Sequence, residues 1–210
     1  HEALGKVDCG TCHEAEAKQH AASLHGKAMK RGDSLAPTCA SCHGVHDIRA
    51  AKDPASPVSP LKVPFTCGKC HQEGTTVMRQ RNVHQDHILE NYSESIHGEG
   101  LLRKGLVVSA NCASCHTAHN ILPHTDPASS IARGNIARTC TTCHARIEDV
   151  HRKIIKGELW EKEAHVLPAC IDCHQPHRVR KVFYTQGMAD ADCLKCHDNA
   201  ALKAGDGRSM

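Results

Sequence analysis

Bulky apolar residues occur along this chain singly or in short runs, the longest aliphatic run being Leu106-Val107-Val108. A membrane-crossing helix needs roughly 20 apolar residues in succession, and no segment approaches that. Three stretches predict helices: Glu14 to Lys30, interrupted only by Gly26, then Gln85 to Ile96 and Ala145 to Lys156, all without proline and rich in helix formers. Pro54 to Pro64, with four prolines, predicts an extended surface connection. Nothing resembles a sheet. The expected fold is mainly irregular, with short α-helices and essentially no strand.

Composition adds a problem. The apolar fraction of 40% is inflated by alanine and fourteen cysteines. Leu, Ile, Val and Phe together make up about 18% of the 210 residues, and aromatics 2%. So small a share ordinarily signals disorder, but disorder normally accompanies high net charge, and the formal charge here is only +3. Apolar mass must therefore come from something other than side chains. The first residue is His1, not Met, so a leader is expected to have been removed, together with any anchor it carried.

The cysteines identify the missing mass. All fall into C-x-x-C-H pentapeptides: Cys9/Cys12-His13, Cys39/Cys42-His43, Cys67/Cys70-His71, Cys112/Cys115-His116, Cys140/Cys143-His144, Cys170/Cys173-His174 and Cys193/Cys196-His197. This is the attachment signature of c-type haem. Two thiols add across the porphyrin vinyl groups, and the adjacent histidine reaches the iron. Zinc ribbons use C-x-x-C pairs two at a time, and redox or disulfide pairs need no following histidine. Seven repetitions without a leftover cysteine predict seven haems c, or 30 residues per haem. The chain would be a thin wrapping over porphyrins, whose burial replaces an aliphatic core. With both propionates ionised, seven bis-His haems would move the charge to roughly −4 oxidised and −11 reduced. The sequence pI of 8.2 therefore gives no reason to expect nucleic acid.

The sequence also repeats. Ser23-Leu24-His25-Gly26 matches Ser95-Ile96-His97-Gly98, and Asp53-Pro54-Ala55-Ser56 matches Asp126-Pro127-Ala128-Ser129. A trailing C-H-x-x-H occurs at His43/His46, His116/His119 and His174/His177, and Thr precedes Cys67 and Cys140. Three two-haem repeats follow, residues 1–66, 67–139 and 140–192, with a terminal single-haem segment at 193–210, all in one continuous haem-cored unit.

Nineteen histidines leave twelve beyond the seven proximal ones, whereas four methionines occupy no repeated position. Bis-His ligation is expected, and the lack of thioether ligands implies low potentials. The distal candidates are His25, His97 and His151 upstream of second-type sites, and His46, His119 and His177 three residues after a proximal histidine. If that turn is helical, the two histidines share a face. The first group is expected to serve haems at 39–43, 112–116 and 170–174. The second is expected to serve haems at 9–13, 67–71 and 140–144. His165 is the nearest candidate for the haem at 193–197. The surplus includes His1, His20, His84, His87 and His124, any of which could ligate a neighbouring molecule. Trp160 is expected to pack on a haem face.

Over about residues 9–197 the chain resembles the multihaem cytochromes c of bacteria and archaea that combine C-x-x-C-H repeats with an S-x-H-G histidine and a trailing C-H-x-x-H. The resemblance implies haem insertion outside the cytoplasmic membrane, mostly bis-His irons, and stacked or T-shaped haem pairs that conduct electrons. Members include periplasmic shuttles, subunits of quinol-linked complexes and extracellular cytochromes that polymerise into conducting filaments. Expected partners are therefore further copies or other cytochromes, with a donor and acceptor outside the cytoplasm. Catalysis like that of multihaem nitrite or hydroxylamine enzymes is the alternative. It needs an iron with an open position, and the Lys-ended attachment pattern of nitrite reductases is absent.

Overall fold

A computed structural model describes residues 7–81, 83, 85–145 and 169–180. The expected helix at 145–156 beyond its first residue, Trp160, His84, His151, His165 and the attachment site at 193–197 lie outside these residues. Among the described residues there is no strand, as expected, and the helices are short.

The predicted helix from Glu14 to Lys30 is two helices, α1 (Glu14–Ala22) and α2 (Leu24–Lys30). Ser23 breaks it by taking an extended backbone (φ −72°, ψ 169°) and accepting a hydrogen bond from the Gly26 amide with its hydroxyl. A serine side chain competes with the backbone for such bonds, which favours a new helix start over continuation. The attachment segments form α3 (Cys39–His43) and the end of α4 (Val63–His71). They are followed by α5 (Thr76–Gln80), α6 (Ile88–Glu94) and α7 (Ile96–Gly98), the last continuing into a π-turn at Glu99–Arg103. The second repeat then places α8 (Cys112–His116) and α9 (Ile136–Thr141), and the third α10 (Cys170–Cys173).

The proline-rich connection is not extended. It is a staircase of turns, in which Asp53, Ser56, Ser59 and Lys62 each donate their amide to the carbonyl three residues earlier. Pro54, Pro57 and Pro60 occupy the second position of three consecutive turns, where a fixed φ is already correct. Residues 123–135 repeat the staircase, with the amides of Asp126, Ser129, Ala132 and Asn135 bonded in the same way. Asp53 and Asp126 each accept from the amide two residues on, at 2.8 and 2.9 Å. Ser56 and Ser129 are buried and donate to Arg49 O and Leu122 O. The threonine before each following attachment site ties it to the staircase: Thr66 Oγ1 donates to Pro57 O and Thr139 Oγ1 to Ser130 O, both at 2.7 Å.

Side chains make little core. The buried apolar residues are Tyr92, Leu101, Leu122, Ala132, Ile136 and Ala169, while Leu24, Met29, Val45, Ile48, Phe65, Ile96, Leu106, Val107 and Val108 are exposed. More large apolar side chains face outward than inward among the described residues, the reverse of an ordinary domain.

Salt bridges tie one repeat to the next. Arg81 grips Asp33 through Nε and Nη2 at 2.7 and 2.5 Å, and Arg133 grips both carboxylate oxygens of Asp172 at 2.8 and 2.7 Å. The hydrogen bonds from Arg81 hold the Asp33 carboxyl at about 2, below its ordinary 3.8. A folded-state value below the unfolded one stabilises the fold above pH 3.8 and loses that contribution as pH falls towards 2. Asp33→Asn should therefore lower the melting temperature at neutral pH. The difference from wild type should close over that acid window in a pH series of thermal melts.

Candidate functional site

The S-x-H-G motif has a local physical cause. Ser23 donates its hydroxyl to His20 O at 2.6 Å and accepts from the Gly26 amide at 3.1 Å; Ser95 donates to Tyr92 O at 2.6 Å and accepts from the Gly98 amide at 2.9 Å. Each serine is buried and closes the first turn of a helix onto the end of the preceding one. The glycine is required by close approach, since a Cβ at Gly26 would overlap the His20 carbonyl and one at Gly98 the Tyr92 carbonyl. The histidine between serine and glycine is thereby fixed on the first helical turn.

A second device fixes the trailing histidines. The Leu24 amide donates to Ile121 O at 2.9 Å, and the Ile96 amide donates to Val179 O at 2.7 Å. Each donor immediately precedes an S-x-H-G histidine, and each acceptor lies two residues after a C-H-x-x-H histidine. This backbone clasp thus brings the 119–121 segment of the second repeat to the first, and the 177–179 segment of the third repeat to the second. The turn within C-H-x-x-H is not helical, so the condition for a shared face is not met. Gly44 (φ 84°) and Thr117 (φ 64°) end their helices in the left-handed region, and His177 itself has φ 61°. The trailing histidine consequently leaves the face of its proximal neighbour.

Four pairs of imidazoles result. Ring centres lie 6.2 Å apart for His25 and His71, 6.1 Å for His43 and His119, 5.9 Å for His97 and His144, and 5.9 Å for His116 and His177. The second and fourth pairs are nearly parallel, at 16° and 11°. Such a gap is too wide for ring stacking in contact. An imidazole nitrogen lies about 2.0 Å from a metal it ligates and the ring centre about 1.1 Å behind, so two rings on opposite sides of one ion have centres about 6 Å apart. Each pair is therefore spaced as two imidazoles on opposite sides of one ion would be. Among the described residues no three His, Cys, Asp or Glu side chains converge as a protein-only metal site would require. Two imidazoles are the protein's whole share when a planar macrocycle supplies the other four ligands.

Burial, and then the facing His71, holds His25 down to about 4; burial, and then His116, holds His177 down to about 4. His43, His71, His97 and His116 are also lowered, in each case first by burial. Neutral imidazoles are the ligating form. Gln85 Oε1 lies 2.5 Å from His177 Nδ1 and orients that ring.

The thiols of successive attachment sites are neighbours. The Cys39 thiol is raised by burial and then by Cys9, and the Cys42 thiol by burial and then by Cys67 and Cys70. A hydrogen bond with Cys112 and then burial raise Cys67, and burial and then Cys143 raise Cys115. Cys140 is raised by a hydrogen bond with Cys170, then by burial. The described sites thus follow one another in space in chain order. First cysteines meet within a repeat (Cys9 with Cys39, Cys67 with Cys112, Cys140 with Cys170), and Cys42 and Cys115 interact electrostatically with the next repeat's first pair. Cys12, expected as an attachment thiol like the others, stands outside this row. It is exposed at the end of the single turn Cys9–Thr11, where its amide donates to Cys9 O at 3.3 Å. Its counterparts Cys70 and Cys143 interact electrostatically with Cys42 and Cys115 of the repeat before them.

The structure therefore brings together eight of the histidines expected as ligands, but not in the expected partnerships. His25 faces His71 rather than His43, and His97 faces His144 rather than His116. His119 faces His43 rather than His71, and His177 faces His116 rather than His144. The expected pairings differ from those observed by one attachment site each, which carries every ligand across a repeat boundary. His13 and His46 are exposed and neither faces another imidazole among the described residues. His174 caps α10. The remaining expected ligands, His151, His165 and His197, and the thiols of Cys193 and Cys196 lie outside the described residues. The sequence reading missed the orienting role of Gln85, which no repeat signals. It also left the Ser23, Ser95, Thr66 and Thr139 anchors without a role, although their repetition was visible. Comparisons with family models, curated proteins and solved structures returned no match.

Proposed function

We propose that the chain is an electron-transfer multihaem cytochrome c, binding one haem at each of its seven C-x-x-C-H sites. The observation that carries this reading is the set of four imidazole pairs with gaps sized for one axially ligated ion each. Every pair contains one histidine that follows a C-x-x-C. Bound there, haem c supplies one-electron redox chemistry between neighbouring macrocycles. The polypeptide attaches, spaces and orients the group: thiols in chain order set the sequence of sites, clasps set the ligands, and staircases hold each next site at a fixed offset. Imidazoles on both sides of a gap close it to substrate, which disfavours catalysis at these four positions.

The resemblance to bacterial and archaeal multihaem cytochromes supports work outside the cytoplasm, in the periplasm or in an extracellular filament. No described helix is long and apolar enough to cross a membrane. One observation favours a polymer over a solitary carrier. Ile121 and Val179 are clasped, but their first-repeat counterpart Ile48 is 63% exposed, and Val45 is 69% exposed. A second copy is the occupant that would continue the internal contact, making a head-to-tail interface that propagates.

Mass spectrometry of the native protein should find seven haem adducts, with a low-spin bis-imidazole spectrum. Negative-stain microscopy should show filaments that Ile48→Asp abolishes without loss of haem. Absence of adducts overturns the cofactor reading, whereas seven adducts on a strictly monomeric wild-type chain overturns the polymer.

A further inference from the structure

We propose, resting on the cofactor reading above, that axial ligands are exchanged reciprocally between repeats, so that the working unit is a haem pair straddling each repeat boundary. The S-x-H-G histidine of one repeat reaches forward to the first attachment site of the next, and the C-H-x-x-H histidine of the next reaches back to the second attachment site of the one before.

All four described pairs obey this rule. At the first boundary His25 goes forward to His71 and His119 comes back to His43. At the second, His97 goes forward to His144 and His177 comes back to His116. The thiols also interact across each boundary, Cys42 with Cys67 and Cys70 and Cys115 with Cys143, as first cysteines do within each repeat. The backbone clasp explains the exchange. Leu24 N to Ile121 O places the forward ligand one residue from one end of the bond and the backward ligand two residues from the other. Ile96 N to Val179 O does the same at the second boundary. One hydrogen bond thus positions ligands for two irons. The salt bridges Arg81–Asp33 and Arg133–Asp172 span the same two boundaries.

The repeat legible in the sequence, a first and a second attachment site, is accordingly offset by half a period from the structural unit. No repeat by itself completes the ligation of both its haems. Inter-repeat geometry is held by metal–ligand bonds as well as by contacts, which keeps the distance across each boundary constant.

The test is a double-variant spin-state measurement on the full holoprotein. His119→Ala should convert about one seventh of the iron to high spin, since one of seven sites loses a ligand. In a Cys39→Ala/Cys42→Ala background, which lacks the haem at 39–43, His119→Ala should add no further high-spin iron. In a Cys67→Ala/Cys70→Ala background the high-spin fraction should persist. The reverse pattern, or no spin change in His119→Ala, overturns the exchange. Mass spectrometry of the same samples counts haems, so loss of the cofactor reading is read separately. Should a cysteine variant fail to fold, paramagnetic proton NMR of His119→Ala decides. The altered haem must show contacts to the thioether protons of Cys39 and Cys42, and contacts to those of Cys67 and Cys70 overturn the proposal.

Discussion

Chain produced without covalent haem attachment will be largely unfolded, with weak far-ultraviolet helical signal and amide hydrogens exchanging at nearly the unprotected rate. The prediction follows from what the polypeptide buries by itself. Six apolar residues are buried among those described, and two of them are alanines. A buried Leu-sized side chain contributes about 1.5–3 kcal/mol, and a chain of this length normally relies on many of them. The helices cannot stand alone either. The longest described helices have nine residues, below the roughly 12–15 at which even good isolated helices become marginal. Metal-dependent small domains behave in the same way, with binding energy serving as folding energy. A protected, cooperatively melting apo chain would show that side chains and turns suffice, and would remove the physical need for the cofactor.

Gly98→Ala should be among the most damaging single-methyl changes available. Gly98 has an ordinary helical φ of −65°, so backbone freedom is not the issue. A Cβ there would overlap the Tyr92 carbonyl and fall within 2.9 Å of Ser93 Cα, both backbone and both part of the α6 end that Ser95 holds. Relief requires moving α7 away from α6, which breaks the Ser95 cap and carries His97 out of line with His144. Overpacking costs about 1–3 kcal/mol, and loss of the cap adds roughly 1 kcal/mol. Denaturant titration should register a loss of roughly 3 kcal/mol, accompanied by weakened ligation opposite His144 in the visible spectrum. Gly134→Ala is the control, because a Cβ there meets nothing within 4 Å. Equal stability of the two variants would show that the helix junction has slack and that S-x-H-G needs another explanation.

Much of the chain was legible before any coordinates. Low aliphatic content, scattered apolar positions and absent alternation excluded a sheet and a conventional core, and the described residues are helical and irregular. The repeats at Ser23/Ser95, Asp53/Asp126 and Thr66/Thr139 mark equivalent hydrogen bonds in space. The proline spacing at Pro54, Pro57 and Pro60 contained the staircase, although proline density suggested extension. The period of three is the turn signal, and density alone conceals it.

The amino-acid order by itself determined which residues are proposed to attach a macrocycle, because C-x-x-C-H is a local pentapeptide whose chemistry would be complete within five residues. It also determined the candidate axial histidines, because the repeats mark them. Only the tertiary structure decided which histidine faces which. His25 lies 18 residues from His43 and 46 from His71, and sequence distance favours the nearer partner. The clasps at Ile121 and Val179 reverse that choice, since a backbone hydrogen bond between segments more than 80 residues apart leaves no mark in either segment. Side-chain identity encodes what a ligand is, and chain path encodes where it goes.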